Sequence, residues 1–264
     1  MNITFFNVQR LGEGTADSRR KTIVDQATRL GVDAYIMCEL TTTCKYPPAK
    51  NVTHRVQNSS QLCYGGIYKS TTALNITRAE PKVTAAYRDA LGRNFYAGGS
   101  EFRNLVDRGL GQVQPPATLG TRWPSPQDGP GGVDLYCFHA PANRRYAEPA
   151  VAFLACWLED AYKPQPSGAP APGRARYYLV VGDMNLEPEE LEESKIYTVN
   201  KLKNQIANPG KATHRSSRMS DLDHPQKERE LDWALTNIEN VEVIAPWGFL
   251  RSSASDHIPI VVKY

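Results

Sequence analysis

The sequence has no apolar run near the ~20 residues that a membrane-spanning helix needs. It has no C-x-x-C pair among its 5 cysteines. Its N-terminal segment, Met1-Asn2-Ile3-Thr4-Phe5-Phe6-Asn7, shows no basic stretch followed by an apolar one. Each absence excludes something. No transmembrane segment is expected and no signal peptide is visible, so the chain reads as soluble, either cytoplasmic or an effector delivered by another route. Cys38, Cys44, Cys63, Cys137 and Cys156 stand at irregular spacing, which argues against a zinc site and against a full disulfide framework. Cys38 and Cys137 lie inside apolar runs and read as buried thiols, with one bridge among the others left open. Charge of one sign is missing too: 31 Lys and Arg against 28 Asp and Glu leave a net charge of +3. Such a mild excess gives weak support for a polyanionic partner. No repeat and no dividing linker is evident.

What is present is ordinary globular material: 264 residues, 41% hydrophobic and 22% charged. That is enough chain to bury a sizeable core in one domain, residues 1–264. Short apolar runs at residues 3–6, 34–37, 64–68, 73–76, 121–123, 133–138, 177–181, 231–235, 241–244 and 258–262 read as strands. Apolar residues at helical spacing predict helices at 18–30, where Gly31 supplies the stop, and at 145–162. Pro188 suits the first turn of a short helix at 189–193. Residues 109–120, 124–132 and 164–173 read as loops, and the polar stretch 194–229 as exposed. Strands dominate with helices interspersed, which predicts an α/β (α+β) arrangement of layered sheets with outer helices.

Polar residues with chemical potential share one placement. Asn7, Glu39, His139, Asp183 with Asn185, Asp232, and Asp256 with His257 each stand at or beside the end of an apolar run. Strand ends are where a rigid scaffold presents groups to a cleft. Taken singly, each has a bland reading, since a lone Asp after a strand is usually a turn or capping residue. The conjunction is harder to explain by turns. Glu39, Asp183, Asp232 and Asp256 are hard oxygen donors and, with Asn7 and Asn185, suit Mg²⁺ or Mn²⁺ better than zinc. A carboxylate-held divalent ion can neutralise phosphate oxygens. His139 and His257 beside carboxylates offer an acid and a base.

In order along the chain, Phe6-Asn7-Val8-Gln9, Glu39, Phe138-His139, Gly182-Asp183-Met184-Asn185, Leu231-Asp232-Trp233 and Ser255-Asp256-His257-Ile258-Pro259 resemble the endonuclease/exonuclease/phosphatase superfamily. The pattern spans residues 3–262. The resemblance implies a four-layer sandwich in which two mixed β-sheets pack face to face between helices. It also implies roles. Glu39 would be the principal ligand of Mg²⁺ (or Mn²⁺), helped by Asn7 and Asp256. Asp183 and Asn185 would orient the attacking water and the phosphate. His257, held by Asp232, would be the general base, and His139 would donate a hydrogen bond or proton near the phosphate. Cys38 departs from the family, which usually has Gln before the glutamate. The acidic partner expected behind His139 has no clear match; Glu80 and Asp89 are the candidates.

Shorter segments are similar to the nuclease subunit of cytolethal distending toxins: Asn185-Leu186-Glu187-Pro188-Glu189-Glu190-Leu191-Glu192, Asp89-Ala90-Leu91-Gly92-Arg93-Asn94, Leu119-Gly120-Thr121-Arg122, Ala212-Thr213 and Leu231-Asp232-Trp233-Ala234. By that likeness Arg122 and Arg93 would grip DNA phosphates, and a delivery or carrier protein is a possible partner. The leading expectation is a Mg²⁺-dependent endonuclease that nicks DNA through its backbone with low sequence specificity. The rivals are a phosphoinositide or phospholipid phosphatase using the same centre, and a relative that binds without turnover.

Overall fold

The computed structural model describes residues 1–11, 32–41, 52–57, 62–68, 117–123, 132–215, 228–246 and 256–264. For residues 10–11, 52–57, 62–68, 117–123 and 145 only the backbone is described. The strands are β1 (Asn2–Leu11), β2 (Ala34–Thr41), β3 (Val52–Gln57), β4 (Leu62–Tyr68), β5 (Ala117–Trp123), β6 (Val133–His139), β7 (Tyr177–Asp183), β8 (Gln205–Ala207), β9 (His214–Arg215), β10 (Glu228–Arg229), β11 (Asp232–Thr236), β12 (Glu242–Ile244) and β13 (Ile260–Lys263). The helices are α1 (Arg144–Ala161), α2 (Pro188–Glu192) and α3 (Lys195–Asn200).

Two mixed sheets form the body. One runs β12-β13-β1-β2-β4-β3 and the other β5-β6-β7-β11-β8. Parallel pairing joins β1 to β2 and β6 to β7; the remaining neighbours are antiparallel. Side chains alternate across each strand, so each sheet has an inner and an outer face. Leu135, Cys137, Leu179, Val181 and Ala234 of the five-stranded sheet pack against Ile3, Phe5, Ala34, Ile36 and Cys38 of the six-stranded one. Tyr136, Phe138, Tyr178, Val180, Trp233 and Leu235 point the other way, into α1 and its neighbours. Strands buried on both faces read as unbroken apolar runs, which is why residues 133–138 and 177–181 stood out in the sequence. No described helix is long and apolar enough to cross a membrane.

The fold-class expectation holds: two mixed sheets with helices packed outside. The helix expected at 18–30 and the strand expected at 73–76 lie outside the described residues, as does most of 124–132. Three readings need correction. The loop expected over 109–120 ends in strand, because Ala117–Trp123 pairs with β6. Val52–Gln57 is an edge strand that hydropathy did not show, since its pattern includes His54 and Arg55. The stretch 194–229 is not simply exposed. It holds α3, β8, β9 and β10, and it buries Ser194, Asn204 and Thr213. Each of these polar residues is hydrogen-bonded, which is what permits burial. Ser194 Oγ caps α3 by accepting from the Tyr197 N–H at 3.2 Å. Asn204 donates to the Ala155 carbonyl at 3.2 Å.

Candidate active site

The alternation that fills the core also builds the site. His139, Asp183 and Asp232 continue the inner-face rows of β6, β7 and β11. In register, His139 lies beside Asp183 and Asp183 beside Asp232. Neighbouring strands therefore place an imidazole and two carboxylates side by side where the inter-sheet core opens. Gly182 makes this possible. A Cβ there would sit 1.9 Å from the Phe138 carbonyl oxygen, so the close approach of β6 and β7 requires glycine.

The six-stranded sheet answers from the other side. Asn7 on β1 is buried and donates from Nδ2 to Asp183 Oδ2 at 2.9 Å, joining the two sheets. The same amide reaches Glu39 Oε1 at 3.3 Å. Its Oδ1 accepts from the Gln9 N–H at 2.9 Å. Here both strands slip: the β1–β2 register shifts between Asn7 and Leu11. Gln9 and Glu39 take left-handed φ values of 46° and 57°. Glu39 is thus aimed by a bulge, and its Oε1 comes within 3.4 Å of His139 Nε2. His139 Nε2 also lies 3.7 Å from Asp183 Oδ2. Among the described residues, His139 thus faces the acidic groups of Glu39 and Asp183. Glu80 and Asp89 lie outside the described residues.

His257 enters from the loop before β13. Its Nδ1 meets Asp232 Oδ2 at 2.8 Å, and its Nε2 lies 3.6 Å from Asp183 Oδ2. Burial opposes charge on His257, but Asp232, Asp183 and Asp256 outweigh it and push the imidazole up to about 10. Burial drives the Asp232 carboxyl upward, with His257 pulling against it. Thr213 anchors the arrangement: its Oγ1 accepts from the N–H groups of Leu231 and Asp232 at 3.0 and 2.9 Å. Asn185, at φ 49°, closes a turn in which its N–H donates to Asp183 Oδ1 at 3.0 Å. Its side-chain amide donates to the Ala140 carbonyl at 2.9 Å.

The sequence-derived residues Asn7, Glu39, His139, Asp183, Asn185, Asp232, Asp256 and His257 converge on this corner. Arg122 sits on β5 with only its backbone described, and Arg93 lies outside the described residues. His214 was missed. Its Nε2 is 3.6 Å from Asp256 Oδ2, and its backbone bridges His257. The signal was faint: His214 follows Ala212-Thr213, one of the quoted segments, but begins a strand of only 2 residues. Cys38, Cys137 and Cys156 are free and buried. Burial raises the thiols of Cys38 and Cys137 far above the ordinary range, with Cys137 and Asp183 adding to the effect on the first and Asp183 to that on the second.

The donor chemistry fits a divalent cation. Asp183 and Asp232 stand together beside His257, and Asp256 stands beside His257 and His214, while Glu39 joins neither group; one oxygen each of Asp232 and Asp256 is buried without a hydrogen-bond partner among the described residues. Among the described residues, the groups able to hold an ion are Asp183, Asp232 and His257, and His214, Asp256 and His257.

Neither a family model nor a curated protein matches this sequence. Solved structures do match its shape. A truncated TDP2 from Caenorhabditis elegans aligns with TM-score 0.59 at 14% identity, covering 99% of this chain and 96% of that one. The cytolethal distending toxin of Actinobacillus actinomycetemcomitans aligns with TM-score 0.55 at 16% identity, covering 99% and 97%. A mannosyl-6-phosphatase from Bacteroides thetaiotaomicron aligns with TM-score 0.56 at 11% identity, covering 100% and 98%. The fold is DNase I-like. TDP2 from D. rerio, a match at TM-score 0.55 and 13% identity over 99% of this chain and 97% of that one, is complexed with a single-strand DNA product. At these identities the likeness is one of fold. Within that DNase I-like frame, the buried Asp–His cluster lies where the two sheets meet.

Proposed function

We propose that this chain is a divalent-metal-dependent phosphodiester hydrolase that nicks DNA. The observation that carries the reading is the series Asp232–His257–Asp183, with Asn7 and Glu39 facing it from the other sheet. Asp232 holds Nδ1 of His257, which leaves Nε2 directed at Asp183. Asp183 and Asn185 position the attacking water, and His257 takes its proton. His139 donates to a phosphate oxygen or to the leaving group. Glu39 and Asp256, with Asn7, would hold the cation, Mg²⁺ or Mn²⁺. When bound, that ion neutralises phosphate charge and stabilises the leaving oxygen. A cation held at Asp256 would weaken one of the carboxylate contributions, after those of Asp232 and Asp183, that favour the protonated His257.

DNA is the preferred substrate for two reasons: the local segments similar to a toxin nuclease, and the fold shared with a protein complexed with a single-strand DNA product. In this reading Arg122 and Arg93 engage phosphates, which position the duplex without reading sequence. A carrier that delivers the chain belongs to the same reading. The fold shared with a mannosyl-6-phosphatase favours a second reading, a phosphate monoester or phospholipid headgroup hydrolysed at the same centre. Supercoiled plasmid with Mg²⁺, beside an EDTA control and His257→Ala, decides between them. Metal-dependent open circles that the variant fails to produce support the nuclease. Intact plasmid under Mg²⁺, Mn²⁺ and Ca²⁺, with phosphate released from a monoester, moves the assignment to the phosphatase.

A further inference from the structure

His214 has no part in the hydrolytic reading, yet it is built into the same corner. Its ring centroid lies 4.7 Å from that of His257. Its Nε2 is 3.6 Å from Asp256 Oδ2, and His257 Nε2 is 3.9 Å from Asp256 Oδ1. Both spacings are too long for hydrogen bonds. Both are short enough for one ion, ~2.1 Å from each atom, to bridge. One donor atom of the group, Asp256 Oδ1, is buried without a hydrogen-bond partner among the described residues. A carboxylate oxygen stranded in this way is costly, and a cation would remove the cost.

The backbone holds the donors in place. The backbones of His214 and His257 form an isolated antiparallel bridge. The Arg215 N–H donates to the Asp256 carbonyl, and the Ile258 N–H to the Thr213 carbonyl, each at 2.8 Å. A ligand set fixed by backbone pairing needs little rearrangement on binding.

We propose that His214, Asp256 and His257 form a second cation site that prefers a borderline divalent ion such as Zn²⁺ to Mg²⁺. Two imidazoles and one carboxylate suit zinc, whereas Mg²⁺ takes oxygen donors and leaves nitrogen alone. The site shares Asp256 with the hydrolytic centre and takes up Nε2 of His257. Zinc there withdraws the proposed base, so Zn²⁺ inhibits the Mg²⁺-supported reaction. The binding claim stands apart from the hydrolytic reading; only this inhibitory consequence rests on it.

The test uses the metal-stripped protein and zinc alone. Calorimetry follows Zn²⁺ binding to the wild type and to His214→Gln, and X-ray absorption at the zinc edge reports the ligands in the 1:1 wild-type complex. The expected result is one site per chain whose shell contains two imidazoles. His214→Gln should bind at least about tenfold more weakly. A shell of oxygen donors alone overturns the site, and this measurement needs no variant to fold. Unchanged affinity in His214→Gln also overturns it. Neither readout requires turnover. Intact zinc binding without plasmid nicking under Mg²⁺ sinks the nuclease and spares this site; an oxygen shell with nicking does the reverse.

Discussion

The five-stranded sheet brings His139, Asp183 and Asp232 to the site on a ladder in regular register. The six-stranded sheet brings Asn7 and Glu39 on strands whose pairing slips and whose backbone turns left-handed at Gln9 and Glu39. The first half gains its geometry from close packing, and its cost is the demand for glycine at position 182. The second half gains its geometry from a bulge, at the cost of local strain. His139 and the carboxylates that hold His257 thus stand on the rigid half, and the principal proposed cation ligand on the strained half. Bulges commonly re-aim a side chain beside a functional site.

The sharpest test of this division is His257, which enters before β13 and meets Asp232 and Asp183 of the rigid half. His257→Ala should lower turnover by about a thousandfold while the thermal midpoint stays near wild type. Retained activity with purified variant would refute the base assignment. Gly182→Ala comes next. It should cost about 1–3 kcal/mol of stability, because β6 and β7 must separate to admit the methyl group. Activity should fall with it, since the His139–Asp183 pairing depends on the same approach. An unchanged urea midpoint would show that the approach is not needed.

A third experiment reads charge in place of rate. In metal-free protein the His257 imidazole should stay protonated through neutral pH and titrate near 10, as followed by NMR. Asp232→Asn should bring the titration down toward 6.5, the unperturbed value. The sign follows from the partner: a carboxylate stabilises the imidazolium, so the folded value lies above the unfolded one. The stability it contributes is complete below about 6.5 and is lost as pH rises through about 10. A wild-type titration near 6.5 would contradict the Asp232 contact.

The strained half predicts a smaller and opposite effect. Glu39→Gly should abolish metal-dependent activity yet leave the protein equally stable or up to about 1 kcal/mol more stable, because glycine accepts the left-handed φ without strain. A loss of more than about 1 kcal/mol would mean that Glu39 holds the bulge together and is not merely aimed by it. Smallest of all, Cys38, Cys137 and Cys156 should resist alkylation in native protein and label only on unfolding, as peptide mapping would show.

Much of this was legible in advance, and the reasons are specific. The strands holding His139 and Asp183 are buried on both faces, so their apolar runs were unmistakable and the polar residue ending each was conspicuous. Asn7, Asp232 and Asp256-His257 stood out by the same contrast. His214 did not, because a two-residue strand carries no periodicity and its neighbours are polar. Thr213 and Asn204 were taken for surface because hydropathy counts a hydroxyl or amide as exposed, whether or not a backbone partner awaits it. Edge strand β3, with His54 and Arg55 in its pattern, escaped notice for a similar reason.

The amino-acid order by itself determined where each strand runs out and which chemical groups stand at its end, because burial on two faces demands apolar residues until the core stops. Only the tertiary structure decided which groups meet. The Asn7–Asp183 contact spans 176 positions and depends on how two sheets face each other. The placing of Glu39 against His139 depends on a bulge, and that of Asp256 between two histidines on a bridge between short segments. Such contacts are set by register and by the packing of one sheet on another, which no local pattern of residues encodes.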